Sequence, residues 1–389
     1  MAMVLQALEL SAYTRSRRAL VLALCLLSPG LSAQAPVAEE AAPEAAAPVR
    51  SPLTLLGKAV PAGSSQRLAW RTGFGYGLSN EPVPVLVSHG QSEGPVMCLT
   101  AGVHGDELNG IEIVRRIMAQ ADAKALRGSL IGVPIVNVQG FQRRSRYLPD
   151  RRDLNRHFPG DPRGSLASRV AHDFFERVMR SCTYLVDLHT GSFHRSNLPQ
   201  LRADLREPSV VELSKHFGAI TVLHSPPADG TLRDAAVAIG IPAVTFEVGE
   251  PNRLQPEDVA LAVKGIESLL AGLEMMGTKR VWDRAQPVFY ESRWVRAERG
   301  GILFSKVELG QSVRSGDVLG TVTDPLSNVY TEIRAPFTGR VLGQAVNQFV
   351  MPGFAAFRLG IETTEEGVAE EPALEPDMEG DGPDEQPPS

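Results

Sequence analysis

Apolar residues fall into two regimes along this 389-residue chain. Between about residues 53 and 280, short apolar runs alternate with stretches of helical spacing. Runs at 83–88, 95–100, 130–136, 183–187, 219–223 and 243–248 predict short buried strands. Ile111, Val114, Ile117 and Met118 share one face of a predicted helix over 109–119, and Val170, Phe174 and Val178 do so over 166–179. A third helix is predicted over 256–275, opening with Pro256, Glu257 and Asp258, which suit a helix N-terminus. Strands alternating with helices, without hairpin signals, indicate an α/β domain with a mostly parallel sheet. Such sheets gather ligands at the carboxyl ends of their strands. The polar, Arg-rich stretch 137–160 reads as one long loop, a length usual for functional loops.

Beyond about Arg284 the pattern changes. Val307 to Val313, Ser315 to Gly320, Ile333 to Pro336 and Gly339 to Val341 are short and separated by glycine turns. This predicts a small all-β barrel or sandwich over 285–361. Residues 34–52 are Ala, Pro and Glu with almost nothing to bury, and read as a tether. From Glu362 the chain is acidic and Pro-rich and is expected to be disordered.

The first 33 residues have the form of a secretory signal: Arg15, Arg17 and Arg18, an apolar run over 19–27, then Pro29-Gly30 and the small residues of Leu31-Ser32-Ala33. Cleavage after Ala33 and a periplasmic address are expected, with an uncleaved anchor as the alternative. No later run is apolar for long enough to cross a bilayer.

Composition excludes more than it proposes. At 43% hydrophobic and 22% charged, the chain has the make-up of an ordinary globular protein. Eleven of its acidic residues lie from Glu362 onward, so a net charge of −6 leaves the rest at +5. That charge is too mild and scattered to suggest nucleic acid. Cys98 and Cys182 lie in or beside apolar runs and are expected to pack as small apolar residues; one disulfide between them is the alternative in an oxidising compartment, which their separation in sequence does not establish.

The candidate chemistry starts at Gly102-Val103-His104-Gly105-Asp106-Glu107, a glycine-bearing loop between a strand and a helix. His104 and Glu107 can turn two metal ligands toward one point there, and His189, after the strand 183–187, can supply the third. Catalytic zinc commonly takes three ligands from His and Glu and leaves a position for water. Glu247 ends another apolar strand. It reads either as a buried Glu paired with an Arg, or as the base that takes a proton from water activated by the metal. Arg146 and Asn155-Arg156 are chosen from the loop for holding a carboxylate or an oxyanion. Spacing alone does not separate them from Arg143, Arg144, Arg151 and Arg152.

Gly-Val-His-Gly-Asp-Glu (102–107), Asp-Leu-Asn-Arg (153–156), Asp-Leu-His-Thr-Gly (187–191) and Glu-Val-Gly (247–249), in that order, resemble the succinylglutamate desuccinylase/aspartoacylase family of the zinc carboxypeptidase superfamily. The likeness covers roughly residues 80 to 275 and implies a zinc-carboxypeptidase-like α/β/α sandwich with a mixed, mostly parallel sheet. It implies one Zn2+ on His104, Glu107 and His189, Glu247 as the catalytic carboxylate, and Arg146 polarising the scissile carbonyl. It further implies Asn155 and Arg156 on the substrate carboxylate, Asp153 behind the ligands, and Arg202 as a further substrate contact. The C-terminal strands resemble the biotinyl/lipoyl-like barrel of relatives. No Lys follows Lys306, so covalent attachment of biotin or lipoate at the 324–328 turn is excluded.

The expected organisation is a signal peptide (1–33), linker (34–52), zinc-dependent hydrolase domain (53–280), β domain (285–361) and acidic tail (362–389). The expected activity is hydrolysis of the amide bond of an N-acyl amino acid or a similar small carboxylate-bearing amide. A metallocarboxypeptidase or amidase acting on short cell-wall peptides is the second reading, and a non-catalytic binding protein on the same fold the third. Homo-oligomerisation is left open. The β domain is expected to be structural, narrowing the mouth of the site.

Overall fold

The computed structural model describes residues 50–71, 82–192, 194–277, 282, 285–346 and 348–361. The expected signal peptide, nearly all of the linker and the acidic tail lie outside the described residues.

The chain opens with a hairpin of β1 (Leu53–Leu55) and β2 (Lys58–Val60) that turns at Leu56-Gly57, where φ is 52° and 72°. Then come β3 (Ser64–Trp70), β4 (Val83–His89), β5 (Ser92–Ala101), α1 (Leu108–Gln120), β6 (Arg127–Val133) and α2 (Val138–Arg143). The next are α3 (Leu166–Arg177), β7 (Tyr184–His189), β8 (Arg195–Ala203), α4 (Pro208–Lys215), β9 (Thr221–His224), α5 (Leu232–Ala238), β10 (Ala243–Gly249) and α6 (Pro256–Gly272). The run expected to be a strand to residue 136 stops at Val133, because Pro134 has no N–H for a ladder.

The centre of the main sheet is the parallel set β6-β5-β7-β10, flanked by antiparallel β4 and β3 on one side and β8 on the other. Helices cover both faces. Met97, Leu99, Val186, Leu188, Val244 and Phe246 face one core with α1, α4 and α6, while Cys98, Leu185 and Ala243 face another with α3 and α5. Successive strand residues point to opposite faces. Thr100, Asp187, His189, Thr245 and Glu247 therefore lie on the α3/α5 side, at the carboxyl ends of β5, β7 and β10. The expected α/β/α sandwich is the observed fold.

Short strands follow, all but the first antiparallel to their partners: β11 (Val288–Phe289), β12 (Glu291–Arg296), β13 (Gly301–Ser305), β14 (Ser312–Val313), β15 (Val318–Thr323), β16 (Tyr330–Arg334), β17 (Gly339–Ala345), β18 (Phe349–Val350) and β19 (Ala355–Ile361). They have their own core, including Leu303, Leu319, Val341, Phe357 and Leu359. One four-stranded sheet, β16-β15-β13-β18, is separate, but β12-β19-β17 continue the main sheet. β17 pairs with β8 through Gly343↔Asn197, Gln344↔Ser196 and Ala345↔Arg195, and β11 lies parallel to β9. The C-terminal strands are thus hydrogen-bonded directly to the strand beside Glu247.

Cys98 and Cys182 form a disulfide, with Cα atoms 5.7 Å apart. The disulfide, the alternative open from sequence, replaces the expected separate packing of the two residues. Parallel pairing of β5 with β7, Cys98 opposite Leu185, carries the entrance of β7 up to β5 and closes the gap of 84 residues. Replacing both cysteines with Ala is expected to lower stability by about 2–4 kcal/mol, read from the denaturant midpoint of oxidised wild type against the double variant.

Candidate active site

Strand register assembles the site. Thr100, Asp187, Thr245 and Arg202 stand opposite one another across β5, β7, β10 and β8. Further along, His189, Glu247 and Gln200 form a second row. Where β5 ends, Gly102 takes a φ of 59° and the chain turns into the loop that carries His104 and Glu107. Glu107 is the N-cap residue of α1, where the helix dipole favours a negative charge.

His104, Glu107 and His189 are all buried and converge. His104 Nδ1 is 2.8 Å from Glu107 Oε1, His189 Nδ1 is 2.9 Å from Glu107 Oε2, and the two Nδ1 atoms are 3.1 Å apart. Tetrahedral zinc with ligands at about 2.0–2.1 Å needs donor atoms about 3.3 Å apart, so small outward shifts fit an ion. Both outer nitrogens are held by carboxylates: His104 Nε2 lies 3.0 Å from Asp153 Oδ1, and His189 Nε2 lies 2.9 Å from Asp187 Oδ2. Carboxylates behind metal-binding histidines fix ring orientation and raise basicity. Thr100 Oγ1 in turn donates to Asp187 Oδ1 at 2.6 Å. The donor set and its support therefore fit a zinc ion.

Charge balance points the same way. Burial penalises the Glu107 carboxylate, but His104 and His189 outweigh it and hold the group far below the usual range. Burial pushes His189 down, yet Asp187 and Glu107 carry it well above its ordinary value. Burial and Arg146 lower His104, but Glu107 and Asp153 leave it raised. A buried anion-rich cluster of this kind calls for positive charge, from protons or from a metal.

The other expected residues fall on two sides of this centre. Arg146 donates to Asp153 Oδ2 through Nη2 at 2.9 Å and to Glu107 Oε1 through Nη1 at 3.3 Å. Its side chain is 10% exposed, whereas Arg143, Arg144, Arg151 and Arg152 are exposed. Asn155 is buried and its Oδ1 accepts from Leu232 N at 2.8 Å, bracing the start of α5. Arg156 is half-buried and donates to Asn155 O. Glu247 is 5% exposed, with Arg202 Nε 3.2 Å from Oε1 and Asn197 Nδ2 donating to Oε2 at 3.3 Å. The Arg pairing weighed for Glu247 from sequence is thus present, and it offsets the cost of burying that charge.

Asp187, an acid near His189 in the sequence, joins three contributors that the sequence did not single out, Thr100, Asn197 and Arg233. Asp187 was legible as strand residue i against His189 at i+2, which puts both on one face. Thr100 follows from register alone. Asn197 lies on β8, which had no strand signal. Arg233, on α5, is buried and donates to Ser225 O at 2.8 Å and Pro226 O at 3.3 Å; burial and neighbouring Arg202 push it down to about 10.

Asp187→Asn is expected to weaken metal binding about 10- to 100-fold. Competition against a chromophoric chelator measures it, with unchanged melting temperature confirming the fold.

Comparison with known proteins adds a family context. The succinylglutamate desuccinylase/aspartoacylase catalytic domain matches residues 93–273. The chain is 31% identical over 256 residues to the N-alpha-acetyl-L-2,4-diaminobutyric acid deacetylase of Halomonas elongata, covering 62% of this chain and 74% of that one. A succinylglutamate desuccinylase/aspartoacylase structure from Rhodobacter sphaeroides is 25% identical with a TM-score of 0.67, over 76% of this chain and 96% of the other. The product-bound ectoine utilization protein EutE (DoeB) from Ruegeria pomeroyi shares the fold, with a TM-score of 0.69 at 24% identity over 80% of this chain and all of that one.

Proposed function

This chain belongs to the succinylglutamate desuccinylase/aspartoacylase family, and from that premise we propose that it is a zinc-dependent deacylase cleaving the amide bond of a small N-acyl amino acid. The observation that carries the reading is the convergence of His104, Glu107 and His189, with Glu247 in register beside His189 on the next strand. The Halomonas elongata relative supports acetyl as the acyl group and a small amino acid as the product.

His104 Nδ1, Glu107 and His189 Nδ1 would hold the zinc, which when bound acidifies water and polarises a carbonyl. Glu247 takes the proton of the attacking water on a carboxylate oxygen and returns it to the leaving amine nitrogen. Arg202 and Asn197 orient Glu247 during both transfers. Arg146 stands by for the negative charge that grows on the carbonyl oxygen. Arg156 and Arg233 supply the cationic surroundings that an amino-acid carboxylate requires. The export signal and the biotinyl/lipoyl-like character of the C-terminal strands remain part of this proposal. The expected role of those strands in narrowing the mouth belongs to it too.

A hydrolysis screen tests the function. N-acetyl-2,4-diaminobutyrate, N-acetylaspartate, N-succinylglutamate and short unacylated peptides are compared at equal concentration. Faster release of amine from the acylated amino acids supports the proposal; hydrolysis of the peptides alone overturns it.

A further inference from the structure

The strands after residue 285 touch the catalytic carboxylate through one intermediary. Asn197 donates to Glu247 Oε2, and the opposite face of its amide meets β17. Among the described residues its buried Oδ1 has no hydrogen-bond partner, and a Cβ placed on Gly343 would stand 2.7 Å from that atom. The space that a side chain at 343 would fill is therefore the space the Asn197 amide occupies. Three positions along β8, Gln200 is 0% exposed and stands opposite Glu247 in the ladder. Its amide donates to Leu342 O of β17 at 3.2 Å, while its Oε1 also lacks a partner among the described residues. Buried acceptors without partners are unfavourable, and proteins keep them where the group is needed in one place.

We propose that β17 is a working part of the hydrolytic centre: Gly343 and Leu342 set the side chains of Asn197 and Gln200, and Asn197 sets the Glu247 carboxylate. Asn197 and Gly343 are positioning residues that act through Glu247. The inference rests on the deacylase reading, in which Glu247 is the proton carrier, and gives the C-terminal strands a task beyond narrowing the mouth. It also changes how that region is to be probed. Deleting residues 285 to 389 would uncover the paired edge of β8 and disturb Glu247 along with the mouth, so single substitutions are the cleaner instrument.

Gly343→Ala forces the Asn197 amide to yield, because the added Cβ meets the far end of that side chain and no backbone atom under 3.0 Å. On N-acetyl-2,4-diaminobutyrate, Gly343→Ala and Asn197→Ala are each expected to lower kcat about ten- to a hundredfold, from misplacement of the reacting carboxylate, with KM and zinc content unchanged. The double variant is expected to be no slower than Asn197→Ala, since both substitutions act on one link. Losses that multiply in the double variant, or kcat equal to wild type in either single variant, overturn the proposal. If Gly343→Ala does not fold, Asn197→Ala reads the same link without added volume. A crystal structure of substrate-free Gly343→Ala separates this inference from the deacylase reading. A displaced Asn197 amide and a rotated Glu247 support it even if no substrate in the screen is cleaved; unmoved side chains overturn it even in an active enzyme.

Discussion

Glu247→Gln is expected to abolish turnover while the protein keeps its metal. The substitution preserves the size of a side chain that is 5% exposed and packed among Arg202, Asn197 and His189, so the fold has little reason to respond. The change is in what the group can carry. A carboxylate accepts a proton from water and gives it up to a leaving amine; a carboxamide does neither. Positioned acid–base groups contribute about 10²- to 10⁴-fold, and kcat should fall by that factor. None of His104, Glu107 and His189 is altered, so zinc content should equal that of wild type. Loss of activity together with loss of metal would place Glu247 among the ligands, and near-wild-type hydrolysis would remove it from the mechanism.

His104→Ala is expected to act on the other half of the chemistry. It takes away one of three converging donors and leaves Asp153 and Glu107, which it joined at 3.0 and 2.8 Å, facing a cavity. Changing a group behind a ligand costs about 10- to 100-fold in metal affinity, and losing a ligand itself should exceed that. The purified variant should carry no stoichiometric zinc and show background hydrolysis. Elemental analysis beside a thermal melt distinguishes this from simple unfolding.

These expectations rest on residues whose legibility in the sequence differed for physical reasons. The central strands and the long helices were legible because burial on one or both faces leaves an apolar period that spacing reveals. His104, Glu107 and His189 were legible because each lies at or just after the end of such a strand, where an α/β sheet opens to ligands. β8 was not, since Arg195, Ser196, Asn197, Gln200 and Arg202 are polar and Pro199 interrupts the run. Its polarity is the mark of its place between the site and the C-terminal strands. The arginines of the loop could not be ranked by spacing; burial separates Arg146 and Arg156 from their exposed neighbours. Asn155, implied by family likeness to hold substrate, also caps the helix that carries Arg233, a link only tertiary structure reveals. The disulfide was illegible because contact between β5 and β7 is set by sheet order, which no local pattern encodes.

The central claim is that three converging side chains hold a zinc ion on which amide hydrolysis depends. Its most direct test is to strip the purified protein with a chelator, then titrate zinc back while following release of acetate from an N-acetyl amino acid. Stripping is expected to remove activity, and added zinc to restore it linearly until one ion is bound per chain. Undiminished hydrolysis by the stripped protein would contradict it.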